Sequence, residues 1–134
     1  MNKENEKYIE GFEKYLKNKN LSAKTIRRHV SNAKFYIDSY LDDHYEDVDA
    51  IKGIDDEYIA DFFDYFFIRK CMWSTPYTMK EYAASLKKFY TYLNEEELIS
   101  DEQLQDLKDT FKYSLEDWCD DCEIYNNGDE YIQL

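Results

Sequence analysis

Apolar residues recur at three- and four-residue spacing in five stretches of the chain, the periodicity of helices that bury one face. Tyr8, Ile9, Phe12, Tyr15 and Leu16 form the first stripe, which Asn18-Lys19-Asn20 interrupts. The second starts at Ser22, whose hydroxyl can cap a helix, and runs through Ile26, Val30, Ala33, Ile37, Tyr40 and Leu41. A polar, acidic connection over residues 42–53 follows. Asp55-Asp56-Glu57 then opens a third helix, with carboxylates suited to the positive end of the helix dipole. Its stripe of Tyr58, Ile59, Phe62, Phe63, Phe66 and Phe67 is wide enough for the centre of a core. Thr75 and Pro76 mark the fourth start, a cap followed by a proline at the first helical position, where its missing N–H does no harm. Met79, Tyr82, Ala83, Leu86, Phe89, Tyr90 and Leu93 form its inward face. The fifth helix opens on the capping box Ser100-x-x-Gln103 and carries Leu104, Leu107, Phe111, Leu115, Trp118 and Cys122.

The pattern predicts an all-α protein, a compact bundle of four to five helices. Three glycines and one proline in 134 residues leave little material for hairpins or linkers. That length suits one domain, expected over residues 1–125 with a polar tail at 126–134. No apolar run approaches the roughly 18 residues of a membrane span, and the N-terminus lacks the apolar stretch of a secretory signal. A cytoplasmic protein is therefore expected.

Candidate chemistry narrows the picture mostly by exclusion. Cys71, Cys119 and Cys122 are an odd set, poorly matched to a disulfide framework. Cys119-Asp-Asp-Cys122 has the C-x-x-C form, but a closed zinc site needs four ligands and no second pair follows. The pair reads instead as structural, with Trp118 and Cys122 one turn apart on a buried face. Gly-rich phosphate loops, G-x-S-x-G and H-E-x-x-H are missing, so no catalytic residue, metal or cofactor is expected.

Charge restores some information. The net charge is −13, yet residues 1–37 hold nine basic residues against four acids, a net +5. Residues 38–66 carry −10, residues 67–93 carry +4, and residues 94–134 carry −12. The second and fourth helices thus fall in basic segments, and the third and fifth begin or lie in acidic ones. Lys24, Arg27, Arg28, Ser31 and Lys34 occupy the outward face of the second helix; Tyr77, Lys80, Ala84, Lys87, Lys88 and Thr91 occupy that of the fourth.

Two segments carry a resemblance. Phe12-x-x-Tyr15-Leu16 runs into Leu21-Ser22-x-x-Thr25-Ile26-Arg27-Arg28-His29. Ser74-Thr75-x-x-Thr78 runs into Leu86-Lys87-Lys88-Phe89-Tyr90-x-Tyr92-Leu93 and then Leu98-Ile99. In order, spacing and residue type these are similar to the core-binding (SAM-like) N-terminal domain of phage integrases and other tyrosine recombinases, over about residues 5–100. The resemblance implies a four- or five-helix bundle that closes over one side of double-stranded DNA in integration and recombination, with the second and fourth helices facing the duplex. It implies phosphate contacts from Lys24, Arg27, Arg28, Lys34, Lys80, Lys87 and Lys88, and from the hydroxyls of Thr25, Thr75 and Thr78. The family's catalytic His-x-x-Arg motif and tyrosine nucleophile belong to a second domain. Neither His29-Val-Ser-Asn nor His44-Tyr-Glu-Asp supplies that motif. A second reading remains open, an acidic protein-interaction module that engages a basic partner such as a recombinase. Self-association through the C-terminal helix is compatible with both.

Overall fold

Helices begin where the sequence places their caps. In the computed structural model, which describes residues 2–128, Ser22 accepts from the Thr25 N–H at 3.2 Å. Thr75 and Thr78, and Ser100 and Gln103, close reciprocal capping boxes at the fourth and fifth starts. The first helix spans Lys3–Asn18. The second spans Ala23–Lys34 and continues through wider, π-helical turns over Phe35–Asp42. The third is a composite of Asp56–Asp61, a π-helical stretch Phe62–Phe66, and Phe67–Lys70. The fourth spans Pro76–Glu95 and the fifth Asp101–Asn126. The fold is thus an all-α bundle of five helices, with no strand among the described residues. The fifth helix absorbs Asn126, one residue of the expected tail; residues 129–134 lie outside the described residues.

Helix ends follow local chemistry. Asn20 takes the left-handed conformation (φ 59°) after the first helix, which asparagine tolerates well. The fourth helix closes with the Leu98 N–H donating to the Leu93 carbonyl at 2.9 Å, which forces Glu97 to φ 61°.

The fourth helix is central, packed by the first, second and fifth. Phe62, Leu86 and Phe89 are fully buried in one core, and Phe66 is half-buried against it. Phe12 meets Phe89 edge-on at 5.3 Å, and Phe63 stacks on Trp118 at 5.4 Å. Trp118, Cys119 and Cys122 are all buried, so the fifth helix spends its apolar face inside this chain. The Cys119 thiol donates to the Pro76 carbonyl at 3.7 Å, and burial raises the thiol pKa of both Cys119 and Cys122. The acidic connection is tied down rather than loose. Tyr36 Oη donates to the Gly53 carbonyl (2.6 Å), Tyr90 Oη to the Ala50 carbonyl (2.7 Å), and the Ala50 N–H to Asn5 Oδ1 (3.0 Å). No helix among the described residues is long and apolar enough to cross a membrane.

Candidate nucleic-acid interface

The second and fourth helices run antiparallel, and a buried polar node joins them. Asn32 Nδ2 donates to Ser85 Oγ at 3.0 Å, and Ser85 Oγ lies 2.8 Å from His29 Nδ1. Ser85 has a single proton to give. Having accepted from Asn32, it keeps a second lone pair as well as that proton, so the bond to His29 Nδ1 can run in either direction according to the imidazole tautomer. His29 is only 4% exposed, and burial holds its pKa down to about 4, with Arg28 and then Lys88 lowering it further by repulsion. The node therefore sits, uncharged, beneath a row of cations from both helices.

Four of the ten anticipated residues lie along that row. Arg28 pairs with Glu81 across the seam, Nε to Oε2 at 3.4 Å. Lys24 lies one turn before Arg28 on the same helix, exposed like it. Towards the end of the fourth helix, Lys87 and Lys88 share an open hollow of about 500 Å³ with Lys19, Tyr15, Leu21 and Thr91. Lys19 lies over the Tyr15 ring at 5.0 Å. This lysine is a cation the sequence pattern did not single out, because it falls in the break between two helices.

Other anticipated residues lie at the margins. Arg27 turns towards the first helix, where it lines a second hollow with Glu13 and Lys17. Lys34 is exposed at the end of the regular part of its helix. Lys80 lies on the side of the fourth helix that faces the fifth, close enough to Cys119 to lower its thiol pKa. The three threonines serve the helix starts. Thr25 Oγ1 accepts from Ser22 Oγ at 3.0 Å; Thr75 Oγ1 accepts from the Thr78 N–H at 3.0 Å; Thr78 Oγ1 accepts from the Thr75 N–H at 2.9 Å.

Glu81, Glu13 and Glu95, which accepts from Tyr15 Oη at 2.7 Å, stand among these cations, and a larger acidic group gathers elsewhere. Asp55, Asp56 and Glu57 at the start of the third helix face Asp106 and Asp109 of the fifth across a groove of about 750 Å³, floored by Ile54, Leu107 and Trp118. Among the described residues, no group of three or more His, Cys, Asp or Glu side chains is arranged to hold a metal ion. Comparison with protein-family models, with curated proteins and with solved structures finds no match.

Proposed function

We propose that the chain is a DNA-binding module that grips duplex DNA through its second and fourth helices, in the manner the recombinase resemblance implies. One observation carries the reading. Arg28 and Lys88, from two helices distant in sequence, both act on His29, and Lys19 joins Lys87 and Lys88 in one hollow, while five carboxylates line a groove on the third and fifth helices. Lysine and arginine at such a face neutralise phosphates and release counterions, which supplies affinity without base specificity. Lys24, Arg28, Lys87 and Lys88 make the main contacts, with Lys19 beside them and Arg27, Lys34 and Lys80 at the edges. The threonine hydroxyls hold the helix starts and stand near phosphates only secondarily. No catalytic role is assigned to any residue.

Anisotropy titration of a labelled duplex tests this. With four to six phosphates engaged, log affinity falls against log salt with a slope of about −4 to −5. Charge reversal at Arg27, Arg28, Lys87 and Lys88 abolishes binding. A triple variant that spares Arg28, and with it the Glu81 pair, loses most of it while melting like the wild type. Absence of binding at low salt, or equal binding by the variants, defeats the reading. The acidic groove favours the second reading in that event, an interaction module for a basic partner such as a recombinase. Titration with a lysine-rich amphipathic peptide, against a variant neutralised at Asp106 and Asp109, measures it.

A further inference from the structure

Resting on the DNA-binding reading, we infer that the hollow between the end of the first helix and the fourth helix holds the terminal phosphate of a DNA strand. The module then prefers a duplex whose ends carry a phosphate monoester. Lys19, Lys87 and Lys88 line that hollow together, about 500 Å³ in volume, and all three are exposed.

These lysines differ from the cations around them in having no acid of their own. Arg28 holds Glu81 at 3.4 Å, and Lys17 holds Glu13 at 3.2 Å. Among the described residues, Lys19, Lys87 and Lys88 have no carboxylate oxygen within 4.0 Å. Lys19 lies over the Tyr15 ring instead. Acids do stand nearby. Glu81 and Glu95 lie seven residues before and after Lys88, two turns or about 10 Å along the fourth helix in either direction. Both are engaged, Glu81 by Arg28 and Glu95 by the Tyr15 hydroxyl, which donates to Oε2 at 2.7 Å. They bound the hollow at its two ends and do not line it. Three unpaired ammonium groups around one space repel one another, and an anion placed between them turns that repulsion into attraction.

Charge and shape decide which anion. Each interior phosphate of a duplex is a diester with one negative charge, set in a row along a convex strand. A phosphate monoester carries about 1.5 to 2 negative charges at neutral pH and three strong acceptor oxygens, a better match to three lysines at one hollow. The lysines supply the donors alone, because Thr91 Oγ1 already donates to the Lys87 carbonyl at 2.7 Å. Leu16, Leu21 and Ala84 make the rest of the lining apolar beside the Tyr15 ring. A duplex lying on the basic face spans the mouth of this hollow and leaves that floor empty. A strand end leaves the duplex, sets its phosphate among the lysines and lays its last sugar on the floor. The hollow also continues the duplex-binding face, since Lys88 acts on His29 together with Arg28. A phosphate that reaches it therefore arrives with DNA.

The experiment compares one internally labelled blunt duplex with hydroxyl ends, with 5′-phosphates and with 3′-phosphates. The wild type binds one or both phosphorylated forms about tenfold more tightly than the hydroxyl form at pH 7.5, as expected for one added charge-assisted contact. The preference shrinks at pH 5.5, where the monoester takes up its second proton and the lysines stay charged. Lys19→Ala and Lys87→Ala bring the ratio towards one. Lys24→Ala, outside the hollow, weakens binding to all three DNAs and leaves the ratio unchanged. All three replaced side chains are exposed, so the ratio is read on folded protein. Equal wild-type affinity for the three DNAs, or a ratio that survives both hollow variants, overturns the strand-end site and leaves the duplex reading standing. Binding to none of them removes both. Deoxyadenosine monophosphate at millimolar concentration should bring the phosphorylated forms down to the level of the hydroxyl form. If it binds as tightly as the phosphorylated duplex, the hollow is a free-nucleotide site and the strand-end assignment is wrong.

Discussion

Protonation of His29 should open the seam between the second and fourth helices, and its magnitude follows from the node. Burial first, then Arg28 and Lys88, bring the His29 pKa from an ordinary 6.5 to about 4. A pKa lowered on folding means that the unfolded chain binds the proton more readily. Stability from this group is therefore whole above pH 6.5, falls as pH drops towards 4, and loses little more below it. A span of that size corresponds to roughly 3 kcal/mol between pH 7 and pH 4. Many carboxylates titrate over the same range, so the wild type alone cannot isolate the effect. The informative quantity is the difference from His29→Asn, whose shorter amide reaches about as far as Nδ1 and carries no titratable proton. Urea unfolding at pH 7 and at pH 4 gives four stabilities. The variant is expected to be less stable than the wild type at pH 7, through imperfect packing, and to lose roughly 3 kcal/mol less on acidification. Parallel losses in the two proteins would show that His29 takes up a proton as freely in the folded state as in the unfolded, and the node as described would be wrong.

Two further substitutions should raise stability. Asp64→Asn, monitored by urea unfolding, stabilises at neutral pH. Burial and the hydrogen bond and repulsion from Asp121 raise the Asp64 carboxyl pKa, so its charge opposes folding above that pKa; the gain vanishes in acid, where both proteins are neutral at this position. Glu97→Gly relieves a left-handed residue with a β-carbon at the close of the fourth helix, a gain of about 1 kcal/mol that thermal unfolding should detect. An unchanged or lower melting temperature would mean the turn is not held as described.

The features legible in the sequence were those fixed by near neighbours. Ser22, Thr75 and Ser100 announce their helices because a cap is satisfied within three residues, and the stripes ending in Leu16, Leu93 and Cys122 state which face is buried. The seam node was illegible, since Ser85 lies 53 residues from Asn32 and 56 from His29. Nothing local distinguishes a serine that joins two helices from one that faces water. The π-helical turns were equally hidden, because spacings of three and four residues persist through Tyr36, Ile37, Tyr40 and Leu41. For the candidate site, periodicity identified outward cations but not their company. Lys80 and Lys87 sit on the same predicted face, yet one turns towards Cys119 and the other joins Lys19. Met72 and Trp73 would pass for core residues on hydropathy, yet both are exposed.

The salt range of the DNA titration matters because the chain as a whole is strongly acidic. The second and fifth helices pack on different faces of the fourth, so the acidic groove stands at least about one helix diameter, near 10 Å, from the basic face. At about 0.1 M salt the Debye length is also near 10 Å, and the phosphates are largely screened from the groove while the cations touching them are not. At about 0.01 M it reaches roughly 30 Å, and Asp55, Asp56, Glu57, Asp106 and Asp109 then offset part of the attraction without cancelling it. Attraction at contact and repulsion at a distance therefore separate by ionic strength. The steep slope should hold near 0.1 M and flatten as salt is diluted, and neutralising Asp106 and Asp109 should restore steepness at the dilute end without changing affinity near 0.1 M. A slope that is constant over the whole range in both proteins would mean that the acidic groove does not feel the bound DNA, and that the duplex lies farther from it than the second and fourth helices allow.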